Sequence, residues 1–258
     1  MKTEKRDCTY VPFGNGRRGA AKRAAALLMV MCICGGGLQV WAAGTGTGGG
    51  SEEPDIRFAL LSREESREGG LSLRESLSSR RSVRSFAAEA LTREETGRLL
   101  WAGGGVRPDA VSGPSRTAPS AGAIYPIKLF LVAGEIEGLA PGLYRYLPQE
   151  HGLQRRKEGD YRQQLAAAAL NQMWIAEAPA AIVLAGDPAA VARKYGSRGA
   201  ERYLHLDAGA AAENILLETV AAGLGATPVG AFRDERLQEL LDAEGLKPLL
   251  IIPVGVPR

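Results

Sequence analysis

Three short apolar runs, Ile127 to Val132, Ala180 to Leu184 and Leu249 to Val254, each bounded by Pro, Gly or Asp, constrain this chain more than any other feature. Short β-branched or aromatic runs of this length read as central strands of a sheet. Between them the pattern is helical. Leu71 to Ser79 sets Leu71, Leu73 and Leu77 among polar residues, and Thr92 opens a Thr-Arg-Glu-Glu start that leads to Leu99, Leu100 and Trp101 and stops at Gly103. Helices are also predicted over Tyr161 to Ile175, Asp187 to Tyr195 and Glu201 to Leu224. The last is alanine-rich from Ala208 to Ala212, which suits a core or a dimer interface, because small residues admit a second backbone closely. Gly142 to Tyr146 alternates as a strand with one wet face and is expected to pair with Ile127 to Val132. The order α, α, β, β, α, β, α, α, α, β is neither all-β nor a regular βαβ alternation, and implies an α+β layer fold. No Gly-x-Gly-x-x-Gly follows a strand, so a Rossmann dinucleotide site is unsupported.

Charge is unevenly spread. The 258 residues carry a formal +3, but residues 1–42 hold 7 Lys+Arg against 2 Asp+Glu, which leaves −2 for residues 43–258. Without a basic body, the electrostatic footprint of a nucleic-acid binder is missing. All three cysteines, Cys8, Cys32 and Cys34, fall in that first segment, which excludes disulfides, thiolate metal sites and a cysteine nucleophile from the rest. The uncharged run from Ala24 to Leu38 is shorter than the roughly 18–20 residues of a spanning helix. Arg17, Arg18, Lys22 and Arg23 precede it and Val40-Trp41-Ala42 follows, the pattern of a cleavable export signal over residues 1–42, by the Sec route or a twin-arginine-like one. A buried or anchoring helix is the alternative. Residues 43–55 open on a Gly/Thr run that behaves as a flexible linker, so the fold is expected over residues 56–258 of an exported, periplasmic protein with no stable membrane span.

Chemistry-bearing residues fall in three clusters. Ser79-Arg80-Arg81-Ser82-Val83-Arg84-Ser85-Phe86 gathers three guanidiniums with several hydroxyls, and such planar donors fork onto a phosphate or carbonyl oxygens, or else stand as a solvated face. Arg116-Thr-Ala-Pro-Ser-Ala-Gly-Ala-Ile-Tyr-Pro126 fixes an irregular backbone before a strand, either a ligand-lining loop or merely a rigid turn. Gly223 to Phe232 leaves a long helix and lays Pro228 to Gly230 in extended form, where glycine lets a flat ring approach backbone amides. The two histidines, His151 in a turn expected at the surface and His205 on a helix face, show no metal-ligand spacing. No Gly-x-Ser-x-Gly elbow supports a Ser-His-Asp triad.

Taken in order, Arg80 to Phe86, Leu91-Thr92, Leu99 to Ala102, Arg116 to Pro126, Pro141 to Tyr146, Lys194-Tyr195-Gly196, Gly199, Arg202-Tyr203, Gly223 to Gly225, Val229 to Phe232 and Pro253 to Gly255 resemble the FMN-dependent nitroreductase superfamily. Within it the chain is most similar to the SagB/ThcOx-type dehydrogenase branch, which contains azoline oxidases of thiazole and oxazole peptide maturation. The resemblance spans about residues 71–258. It implies an α+β, nitroreductase-like fold with a mixed β-sheet sandwiched between helices, and an obligate homodimer with FMN at the dimer interface.

Carried over by motif position, Arg80, Ser82 and Arg84, with Arg81 nearby, would hold the FMN phosphate, ribityl chain or pyrimidine oxygen. Pro119, Ser120, Ala121 and Gly122 would pack along the flavin, and Val229 and Gly230 would offer backbone amides to the ring. Lys194 and Tyr195 take the position of a Lys-Tyr pair that serves in proton transfer in azoline-oxidising relatives; the alternative is that both end a helix and face solvent. The sequence stops at Arg258, just past the Pro253 to Gly255 run, without the longer tail of some members. Arg258 is thus only a candidate for the phosphate contacts such a tail supplies. The implied function is ping-pong hydride transfer between a donor and a small organic acceptor, with NAD(P)H a possible donor that is scarce outside the cytoplasm. Azoline-to-azole dehydrogenation on a peptide, or flavin binding without turnover, are the alternatives.

Overall fold

Residues two apart along a strand face the same side of a sheet, and the apolar runs of this chain fill both sides. The structure, a computed structural model, describes residues 54–59, 71–107 and 115–258; the expected export signal and most of the expected linker lie outside the described residues. The strands are β1 (Ile56–Arg57), β2 (Ile127–Ala133), β3 (Gly142–Leu147), β4 (Gly152–Glu158), β5 (Ala180–Gly186), β6 (Gly225–Ala226) and β7 (Lys247–Gly255). They form one sheet in the order β1-β4-β3-β2-β5-β7-β6. Leu129 and Leu131 of β2, Ile182 and Leu184 of β5 and Ile252 of β7 face one layer. Phe130, Val132, Ala181, Val183 and Ile251 face the other.

The first layer is α2 (Arg93–Gly104) and α5 (Pro188–Ala221), whose Leu99, Leu100, Ala208, Ala211, Ala212 and Ile215 complete the core. Of the alanine-rich stretch, Ala208, Ala211 and Ala212 face the core while Gly209 is exposed. The second layer is α3 (Arg162–Ala168), α4 (Trp174–Glu177) and α6 (Asp234–Leu241), which close the opposite face with Leu165, Ile175, Leu237 and Leu241. A leucine fully removed from water contributes roughly 1.5–3 kcal/mol, so the two faces supply most of the drive to fold. A short α1 (Leu73–Ser79) lies against α5. The helix starts are those the sequence signals: Ser72 with Glu75, and Thr92 with Glu95, each form a reciprocal capping box.

Every ladder is antiparallel, including the expected pairing of β3 with β2. Parallel pairing is confined to the single bridges Ser82 with Ala226 and Leu91 with Ile136, so the sheet is mixed only there. The predicted helices 187–195 and 201–224 follow one another within α5 as two helical stretches separated by a kink at Gly196. The helix predicted over 161–175 ends at Ala168, and Leu170 and Asn171 turn to φ values of 57° and 61° before α4. A tertiary contact causes that stop: the Arg233 amide donates to the Ala168 carbonyl, and Gln172 Nε2 to those of Ala169 and Ala231. β4 was hidden because Gln154 to Glu158 face outward and form no apolar run. Among the described residues no helix is long and apolar enough to cross a membrane.

Candidate functional site

The segment before β2 cannot settle into helix or strand, since Pro119 and Pro126 bracket it and Gly122, Ala123 and Tyr125 take left-handed φ values of 60°, 55° and 52°. Non-glycine residues in that region cost about 1–3 kcal/mol each, so the turn needs partners. Asp207, on α5 and 8% exposed, supplies them. Its Oδ2 accepts from Ser120 Oγ at 2.6 Å and its Oδ1 from the Ala121 amide at 3.2 Å. Ser120 Oγ in turn accepts from the Tyr125 amide at 2.9 Å, so one carboxylate secures both ends of the turn. Behind it, the Arg116 guanidinium donates to the Gly104 carbonyl and lies 5.2 Å from the centre of the Tyr125 ring. Burial pulls the Arg116 pKa below its ordinary value.

The break in α5 sits opposite this turn. Gly196 has φ 66° and ψ −173°, backbone that only glycine adopts at low cost. Just before it, Lys194 Nζ donates to the Gly122 carbonyl at 3.2 Å and lies 5.6 Å from the centre of the Tyr195 ring. The Tyr195 ring meets Tyr203 edge-on at 4.9 Å. A Cβ on Gly122 would stand 2.5 Å from both Lys194 Nζ and Tyr195 Oη, so the three residues converge on one point. Lys194 and Tyr195 close the first helical stretch of α5 at the Gly196 break and are exposed, Tyr195 by 36%, as the alternative sequence reading has it, yet both reach back to the turn at Gly122.

Residues 82–87 form an extended strip bonded to the sheet. The Val83 amide donates to the Ala226 carbonyl at 3.0 Å, Thr227 Oγ1 to the Val83 carbonyl at 2.8 Å, and the Arg258 amide to the Ser85 carbonyl at 3.1 Å. With that backbone committed, Arg80, Arg81, Ser82 and Arg84 are left exposed. Arg80 Nε lies 3.8 Å from Glu213 of α5, and the Arg84 guanidinium lies 5.9 Å from the centre of the Trp174 ring. Arg80 and Arg81, with Gly223, Gly225 and Pro257, line a solvent-open groove of about 200 Å³, smaller than the roughly 300–1,000 Å³ of small-molecule sites. Both clusters thus border α5, Glu213 lying about 9 Å along the axis from Asp207 at 1.5 Å per residue.

Two expectations are corrected. The Val229 amide is not free: it donates to the Ile251 carbonyl at 2.7 Å and so belongs to the sheet, while Gly230 is exposed with open space where a Cβ would stand. His151 is not a surface residue but 6% exposed, its Nδ1 2.8 Å from Tyr146 Oη under the Phe58 ring. His205 is exposed on α5, its ring bonded to the Glu201 carbonyl. Asp207 was missed altogether; its only signal is a lone acid in the otherwise small and apolar Leu206 to Ala212 stretch. Among the described residues no group of three or more His, Cys, Asp or Glu could hold a metal ion.

A family model described as the nitroreductase family matches residues 77–256, which contain all three clusters and α5. The chain belongs to the nitroreductase family. A Methanocaldococcus jannaschii protein bearing a nitroreductase name is 37% identical over 185 residues, 72% of this chain and 91% of that protein. A solved Ralstonia eutropha JMP134 nitroreductase shares 28% identity at a TM-score of 0.66, over 81% of this chain and 92% of that one. The fold also resembles a chain of the E. coli microcin synthetase McbBCD complex with truncated pro-MccB17 bound, at 20% identity and a TM-score of 0.60, over 83% of this chain and 79% of that one. Other matches are to longer proteins, of which this chain spans 54% in one case and 38% in another. Nitroreductase-family proteins are generally oxidoreductases, and the antiparallel sheet between two helical layers is the nitroreductase fold.

Proposed function

We propose that this nitroreductase-family oxidoreductase binds FMN and transfers hydride by ping-pong chemistry between a donor and a small organic acceptor. Family members commonly use FMN, and the residues present fit it. Exposed guanidiniums on a backbone already bonded to the sheet stand beside a solvent-open groove. Arg80, Arg81, Ser82 and Arg84 would hold the phosphate, ribityl chain and pyrimidine oxygen, as charge-assisted forks onto anionic oxygens. Pro119 to Gly122 would pack along the flavin, and the Gly230 amide, rather than that of Val229, would face the ring. Bound FMN supplies a two-electron acceptor that takes hydride from one substrate and gives it to the next.

Lys194 carries the proton in this scheme. Its Nζ is held on the Gly122 carbonyl with Tyr195 Oη beside the same carbon, so an acid and a hydroxyl stand together at the turn that would pack along the flavin. That contact is the observation on which the proposal stands. The site works as an exported, periplasmic homodimer: the leader has an export pattern, and Leu73, Leu77 and Leu206 expose large apolar side chains at 65%, 57% and 62% on the neighbouring α1 and α5.

The visible absorption spectrum of the purified protein tests it, followed by identification of any cofactor released on heating. A yellow protein releasing about one FMN per subunit supports the proposal. A colourless protein that also refuses added FMN would reduce the arginine segment to a solvated face.

A second function, azoline oxidation on a peptide, is favoured by the Lys194-Tyr195 placement and by the likeness in fold to the microcin synthetase chain. Conversion of an azoline peptide by the FMN-loaded protein, lost in the Lys194→Ala, Tyr195→Phe double variant, would select it over small-molecule reduction.

A further inference from the structure

We infer that Asp207 is a positioning residue, whose buried carboxylate sets the turn so that the Gly122 carbonyl meets Lys194. The inference rests on the role proposed above for Lys194 and Tyr195, and adds a residue that acts only through others. A carboxylate buried beside Leu204, Ala208 and Ala211 is costly unless its lone pairs are used. Among the described residues Asp207 forms no ion pair, and both of its hydrogen bonds go to the turn, to Ser120 Oγ and the Ala121 amide. The 2.6 Å bond orients the Ser120 hydroxyl and leaves its lone pair to the Tyr125 amide.

The turn is therefore bound on both sides of the Gly196 break, by Asp207 after it and by Lys194 before it. If Asp207 lets go, Ser120 Oγ and the Ala121 amide lose their partner, the Tyr125 amide loses an oriented acceptor, and the Gly122 carbonyl between them loses its register with Lys194. Nothing in this depends on a cofactor being bound.

Asp207→Asn keeps the shape but turns an NH₂ group toward one of two donors. In the protein without added flavin it is expected to speed hydrogen–deuterium exchange across residues 117–126 by about tenfold, with β2 and β5 changed less than about twofold. In the protein saturated with FMN, kcat for a nitroaromatic acceptor should fall about tenfold while KM stays within about threefold. Unchanged exchange at 117–126 overturns the inference, and so does faster exchange in β2 and β5 to the same degree, which marks general loosening. Should Asp207→Asn fail to fold, Ser120→Ala cuts the link to Tyr125 and must give the same local exchange signature. A wild-type protein without turnover would defeat the oxidoreductase proposal, and the exchange experiment would still decide whether Asp207 holds the turn.

Discussion

Lys194 Nζ donates to the carbonyl of Gly122, 72 residues earlier in the chain, across the break that Gly196 makes in α5. Gly196 permits that break by adopting backbone that other residues avoid, and a Cβ there would meet nothing within 4 Å. The effect of substitution is thus torsional rather than a collision. Gly196→Ala is expected to cost about 1–3 kcal/mol of stability and to lower turnover about tenfold or more, because a misplaced group loses its proximity advantage. Urea unfolding and steady-state kinetics check the two effects separately; full turnover in the variant would count against Lys194 as a proton carrier.

The arginine strip yields a prediction about phosphate. Arg80→Ala and Arg84→Ala should each weaken FMN binding about 10- to 100-fold, the equivalent of one charge-assisted hydrogen bond at about 1.5–3 kcal/mol. Riboflavin, which lacks the phosphate, should be affected less by whichever arginine binds that group. Flavin fluorescence titrations at low and high salt read both. Equal losses for FMN and riboflavin in both variants would move the phosphate elsewhere.

His151 makes stability depend on pH. Burial, the largest influence, pushes its pKa below the ordinary 6.5, while a backbone hydrogen bond with Ala59 acts in the opposite direction. The folded state therefore keeps the ring neutral where the unfolded chain already takes up a proton. Stability from this group is present above pH 6.5 and is lost as pH falls from there through the lowered folded value. Thermal melts between about pH 7.5 and 5 should show a falling Tm, with a flatter slope in His151→Asn. Asparagine suits the replacement because position 151 has φ 44°, which it tolerates better than most residues. An unchanged slope would show that another group governs acid sensitivity.

Arg162 ties α3 to the ends of the central strands β2 and β5 and serves as a control remote from chemistry. Its guanidinium, 15% exposed, donates to Asp160, Glu135 and the Ala178 carbonyl. The hydrogen bonds to Asp160 raise its pKa and hold that of Asp160 down. Arg162→Ala should cost about 2 kcal/mol by urea unfolding, as loss of partly buried charged hydrogen bonds does. FMN affinity should be unchanged in the same variant. A loss below about 0.5 kcal/mol would place Arg162 with ordinary surface pairs.

The helix starts at Thr92 and Asp187 and the buried strands β2, β5 and β7 were legible in the sequence, as were the clusters at 79–86 and 116–126, while α2 runs past the expected stop at Gly103 to Gly104. Caps, turns and apolar periodicity act over a few residues, so a short window contains both partners. The long helix written across 161–175 was legible too, and was overruled when Arg233 and Gln172 capped the carbonyls of Ala168 and Ala169. β4 and α6 had too little apolar surface of their own to announce themselves: α6 buries Leu237 and Leu241, and β4 is half charged.

What local chemistry determined by itself is where the central strands and the capped helix starts fall and which residues could meet an anion. Only the tertiary structure decided that Asp207 reaches Ser120 from 87 residues away, that Lys194 rests on Gly122, and that the Val229 amide belongs to the sheet. Those contacts join segments distant in sequence, and their geometry comes from packing α5 against the sheet, which no pattern of neighbouring residues encodes, although the break at Gly196 falls where the sequence already ends one helix at Tyr195.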